Sequence, residues 1–73
     1  MVNINKQICN YIALEWVSVS KSNRCFAIDH NIDEKTVRKI LYEDGYRIPV
    51  ETLQKICESR ELKISDFFNL LNL

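Results

Sequence analysis

The chain is 73 residues long, with 47% hydrophobic and 27% charged residues, one Gly and one Pro. That composition excludes a disordered tail and leaves room for one domain, residues 1–73, with a small core. Ten Lys plus Arg offset ten Asp plus Glu, which excludes binding of nucleic acid by bulk charge and leaves only a local patch to do so.

Residues 1–21 open with Ile4, Ile8, Tyr11 and Ile12, followed by Glu15 or Trp16, at the three-and-four spacing of one helical face. This predicts a first helix ending near Val17. The following Trp16-Val17-Ser18-Val19-Ser20 alternates apolar and polar residues with two β-branched valines, which fits a frayed last turn or a short extended piece.

Ser22 is suited to cap a second helix from Asn23 to about His30, with Phe26, Ala27 and either Cys25 or His30 turned inward. Asn23 and Arg24 stand at its exposed start, where backbone amides and side chains can meet an anion. His30 closes the helix, where a cation suits the dipole, so its expected role is structural. Asn31 then tolerates the left-handed backbone of a tight turn.

Ile32 buries that turn, and Asp33 is placed to cap a third helix over about Glu34 to Leu41. Val37, Ile40 and Leu41 share one face. Lys35, Arg38, Lys39 and Tyr42 share the other. One face packs and the other is basic, although Asp29, Asp33 and Glu34 lie nearby and oppose phosphate.

Glu43 to Pro49 reads as a loop from its Asp44-Gly45 turn signal, with Pro49 suited to the first position of a fourth helix over Val50 to Ser59. Leu53, Ile56 and Cys57 form its inward stripe. After a connection through Lys63, Ser65 is placed to cap a last helix carrying Phe67, Phe68, Leu70, Leu71 and Leu73. The last three leucines cannot all face inward on one helix. This end, together with the fourth helix, is the expected face of a two-fold homodimer through Phe68, Leu70, Leu71 and Leu73.

Cys9, Cys25 and Cys57 are widely spaced, without a C-x-x-C pair, and His30 is the only histidine. They read as reduced, buried small hydrophobes of a cytoplasmic protein, with no metal and no cofactor expected. No nucleophile, base and oxyanion constellation can be assembled around one His, so no enzyme is expected. Apolar runs fall far short of the ~20 residues that span a bilayer.

Four segments then stand in order: Ser22-Asn23-Arg24-Cys25-Phe26-Ala27, Asp33-Glu34-Lys35-Thr36-Val37-Arg38-Lys39-Ile40, Val50-Glu51-Thr52-Leu53-Gln54-Lys55-Ile56-Cys57 and Ile64-Ser65-Asp66-Phe67-Phe68. Together they resemble the lambda-repressor-like, Xre-type helix-turn-helix family over residues 22–68, with the motif itself at 22–41. Departures are Asn31 for the family's turn Gly, Asn23 for its Gln, Leu41 for its Glu, and a loop about one residue longer.

The resemblance implies an all-α, compact five-helix domain that binds double-stranded DNA as a repressor-like transcriptional regulator, with the helix at about 34–41 in the major groove. By position, Glu34, Lys35, Arg38 and Lys39 are the implied base contacts. Asn23, Arg24, Thr36, Tyr46 and Arg47 are the implied phosphate contacts. The neutral charge keeps a second expectation open, a protein-interaction module on the same fold, of antirepressor or antitoxin kind, whose partner is another protein.

Overall fold

A computed structural model describes residues 3–72. Every regular element among them is helical: α1 (Ile4–Tyr11), continued without a break as a π-helical segment (Ile12–Val17), then α2 (Asn23–Asp29), α3 (Glu34–Tyr42), α4 (Val50–Ser59) and α5 (Ile64–Leu70). The radius of gyration is 11.3 Å, against about 11 Å for a folded chain of this length. No helix among the described residues is long and apolar enough to cross a membrane.

Asn3 caps α1, its Oδ1 accepting from the amides of Asn5 and Lys6 at 2.9 and 3.4 Å. The expected inward stripe holds at Ile8 and Ile12, and Trp16 rather than Glu15 is buried. Ile4, however, is 47% exposed, and Cys9 takes a core place beside Ile8. The end of this helix is neither frayed nor extended. The amide of Ser18 donates to the Ala13 carbonyl five residues back, at 3.1 Å, and the widened turn falls behind the α-helical phase. Val17, which a regular α-helix would turn out of the Ile8/Cys9 stripe, is thereby brought into the core.

Ser22 caps α2 as expected, with Oγ accepting from the Cys25 amide at 3.1 Å. The helix closes in a left-handed turn at Asn31, φ +57°, where the Ile32 amide reaches back to the Ala27 carbonyl at 2.9 Å. His30 is buried, and it does not serve as a cation at the helix end. Its Nδ1 lies 2.8 Å from the Phe26 carbonyl and its Nε2 lies 3.1 Å from Nη1 of Arg60. A guanidinium can only donate, so Nε2 accepts, Nδ1 carries the proton, and the ring is neutral.

Asp33 stands at the start of α3 with extended backbone, but its carboxylate makes no capping bond. Its carbonyl takes the amides of Thr36 and Val37 instead. Pro49 stands one residue before α4 rather than in its first turn, and its carbonyl accepts from the Leu53 amide at 3.0 Å. Lys63, not Ser65, occupies the cap position of α5. A lysine side chain has no acceptor, so the bond comes the other way: Asp66 Oδ2 accepts from the Lys63 amide at 3.4 Å.

The core runs through all the helices, with Ile12, Phe26, Val37, Ile56, Cys57 and Phe67 fully enclosed. α2 and α3 pack on each other, α1 and the π segment lie against α3, and α4 lies against α5. An aromatic cluster ties the first helix to the last. Trp16 and Tyr11 each meet Phe67, with ring centroids 5.4 and 5.6 Å apart.

Candidate nucleic-acid interface

α3 is seated by Val37 and Ile40, both buried, and by Leu41, half-buried. That anchoring fixes what the helix shows to solvent. Glu34, Lys35, Arg38, Lys39 and Tyr42 form one continuous exposed face, so the structure brings the four expected base-contact residues together.

The charges on this face are not independent. Arg38 Nη1 donates to Glu34 Oε2 at 3.0 Å, one helical turn apart. Lys35 and Lys39 have no carboxylate within ion-pair distance among the described residues. Lys39 Nζ instead lies 5.9 Å from the centre of the Tyr46 ring.

Tyr46 reaches that position through the loop after α3. Gly45, at φ +71°, supplies a backbone conformation that a side chain would resist, and the Tyr46 amide closes the turn on the Glu43 carbonyl at 3.1 Å. Two contacts with α1 hold the loop down: the Cys9 thiol donates to the Tyr46 carbonyl at 3.6 Å, and Lys6 pairs with Asp44 at 3.1 Å. Burial, and after it the neighbouring Cys9 and Glu43, pushes the Tyr46 phenol above its ordinary value. Arg47 follows, exposed.

The expected phosphate contacts divide. Tyr46 and Arg47 belong to the loop beside the α3 face. Arg24 is exposed and Asn23 half-buried at the start of α2. Thr36 stands apart: it is half-buried on the flank of α3 toward α4, on a polar cleft of ≈ 340 Å³ shared with Asn31, Asp33, Thr52 and Lys55. Thr52 and Lys55 were not foreseen there, because nothing in their local pattern marks a shared cleft.

The expected dimer residues also divide. Leu70 is 51% exposed. Phe68 and Leu71 are half-buried against the core, and Leu73 lies outside the described residues. The exposed side of α4 carries the pairs Gln54–Glu58 and Glu51–Lys55 and, at its start, Val50, whereas the surface beside Leu70 and Leu71 belongs to the first helix. They line a groove of ≈ 440 Å³ with Gln7, Tyr11 and Leu14 of the first helix. Leu14, 70% exposed, is the residue the sequence could have flagged, as a leucine on the polar side of the first helix.

Comparison with known protein families, with curated proteins and with solved structures finds no match.

Proposed function

We propose that this chain is a sequence-specific DNA-binding transcriptional regulator, repressor-like and of the lambda-repressor, Xre-type helix-turn-helix kind. In this reading α2, the turn at Asn31 and α3 form the motif, α3 enters the major groove, and Glu34, Lys35, Arg38 and Lys39 meet base edges. Arg24, Tyr46 and Arg47 grip the backbone, with Asn23 beside them. The observation that carries the reading is the α3 face itself. Three cations and a tyrosine stand exposed on the second helix of a tightly turned pair, flanked by a loop that adds Tyr46 and Arg47.

Such a regulator works in the cytoplasm beside its operator, and its three free thiols suit a reducing compartment. A homodimer fits the same reading, because a two-fold protein meets two half-sites about 34–36 Å apart. The Leu14/Leu70/Leu71 groove gives it an apolar face.

The test is selection of bound duplexes from a random pool at low salt, followed by a salt titration of the winner. Recovery of one motif, with affinity falling steeply as salt rises, is the expected result. Failure to enrich any sequence would sink the proposal.

Two observations favour the second reading, a protein-binding module. Glu34 neutralises one of the three cations on the α3 face, and the chain as a whole has no net charge. That reading predicts no salt-dependent duplex binding at all.

A further inference from the structure

We infer that the polar cleft between the α2–α3 turn, α3 and α4 binds a small zwitterion of the α-amino-acid class, with its ammonium group on Asp33 and its carboxylate on Lys55. Neither side chain belongs to the exposed α3 face, so the site holds whether the chain reads DNA or binds a protein.

The first sign is a cap that does not cap. Asp33 precedes α3 with the extended backbone of an N-cap, yet its carboxylate bonds none of the helix amides and forgoes the stabilisation that an aspartate supplies there. It makes no ion pair among the described residues either. It lines the cleft instead, with Asn31, Ile32, Thr36, Thr52 and Lys55. Two threonines repeat the pattern. Ser18 and Ser59 turn their hydroxyls back onto the Leu14 and Lys55 carbonyls of their own helices. Thr36 and Thr52, both half-buried, make no such bond and no other side-chain bond among the described residues. Neither hydroxyl is sealed from solvent, so both are open to the cleft. Departures from local rules of this kind cluster at functional sites.

The charges name the ligand class. One acid and one base line the cleft together. Lys55 meets Glu51 only at 4.0 Å, and that carboxylate is 84% exposed, so the pair holds weakly and Lys55 can turn to a ligand. An inorganic anion suits Lys55 but is repelled by Asp33, and a metal cation meets the reverse. A ligand carrying both charges satisfies both. Its carboxylate has acceptors enough for the Lys55 ammonium and the hydroxyls of Thr36 and Thr52, and its ammonium has three donors for the Asp33 carboxylate and the Asn31 carboxamide oxygen. Ile32 is the one apolar residue of the lining, which suits an uncharged ligand side chain. The volume, ≈ 340 Å³, lies at the low end for ligand sites and fits one amino acid. Because α2 packs on α3 and α4 on α5, a ligand in this cleft joins two packed pairs of helices.

The experiment is thermal melting of the natural chain with each common free amino acid at millimolar concentration, with inorganic phosphate beside them, followed by amide chemical-shift mapping of the one that binds. At least one amino acid with an uncharged side chain should raise the midpoint, since it binds the folded state alone, and should shift the amides of Asn31, Asp33, Thr36 and Thr52. Its N-acetyl and methyl-ester forms, each lacking one charge, should bind more weakly, on the order of tenfold. Asp33→Asn and Lys55→Gln change exposed side chains, so both should melt as the natural chain does without ligand, and each should weaken the amino acid by a similar factor. If no amino acid raises the midpoint, or if the shifts map to another surface, the site is wrong. Tighter binding of phosphate than of any amino acid, or equal binding of the N-acetyl form, would overturn the zwitterion.

Discussion

Arg60 donates from Nη1 to the Nε2 of His30 at 3.1 Å, joining the residue that closes α4 to the one that closes α2. The same guanidinium lies 4.4 Å from the centre of the Trp16 ring, and the His30 ring stacks on Phe26 at 3.8 Å. Three helix ends are tied at one side chain, next to the turn that sets the angle between α2 and α3.

Removing that tie should cost stability. Arg60→Ala leaves Nε2 of a buried imidazole without a donor and removes the cation from Trp16, together about 1–3 kcal/mol. Thermal unfolding should show a midpoint lower by roughly 4–8 °C per kcal/mol. Arg60→Lys keeps the charge but not the planar fork and should fall between. An unchanged melt for Arg60→Ala would show that the contact is idle.

Glu61 offers a change of opposite sign. It sits at φ +58°, in the left-handed turn where the Leu62 amide reaches the Cys57 carbonyl at 2.9 Å. Only glycine takes that conformation without strain, so Glu61→Gly should stabilise the fold by about 1 kcal/mol. Urea unfolding should move to a higher midpoint with the slope unchanged.

Lys39 and Arg47 should separate on DNA. Lys39→Ala removes a groove-facing cation and should weaken the selected site by about 1–3 kcal/mol while blurring one base preference. Arg47→Ala, on the loop, should weaken all duplexes alike and lower the salt slope by about one. Titrations of the selected site and of random duplex at three salt concentrations distinguish the two; equal loss of base preference in both variants would contradict the division.

The apolar groove between the first and last helices predicts assembly. Leu14→Asp and Leu70→Asp each place a charge on exposed apolar surface, leaving the core untouched. Sedimentation at micromolar concentration should show the natural chain as a dimer and both variants as monomers with unchanged melts. A natural chain that sediments as a monomer throughout that range would dispose of the homodimer.

The thiols should respond to burial. It pushes the Cys9 and Cys57 thiols up, whereas Cys25 is only half-buried, so a thiol reagent should modify Cys25 first in the folded protein. Because the folded state holds the Cys9, Cys57 and Tyr46 protons more tightly, their contribution to stability is complete below the ordinary thiol range, about 8.5. It is lost as pH climbs through the raised folded values. Urea midpoints measured from pH 7 upward should fall on the alkaline side.

Local pattern carried most of the fold. Ser22 and Asn31 announce one helix start and one helix end through side-chain chemistry that acts within a few residues, and Val37 and Ile40 declare the buried side of α3. What escaped depends on partners distant in sequence. Arg60 is thirty positions from His30, and no local signal says that it will neutralise the need for a charged imidazole. Asp33 and Ser65 look like caps because their types favour that role, yet backbone bonds and Asp66 supply what was required. The α3 face was legible as a stripe. Its internal pairing of Glu34 with Arg38 follows from a spacing of four, but only a side-chain geometry shows which edge of the guanidinium is left over.

The first helix is set by angle more than by length. Its forward half is keyed to the loop through Cys9 and Tyr46, and its rear half to the last helix through Trp16 and Phe67. One surplus residue in the wide turn absorbs the mismatch between those two bearings. Wound as a regular α-helix, the same residues would make sounder hydrogen bonds, and Val17 would turn away from the core. For this protein the better helix would be the worse component.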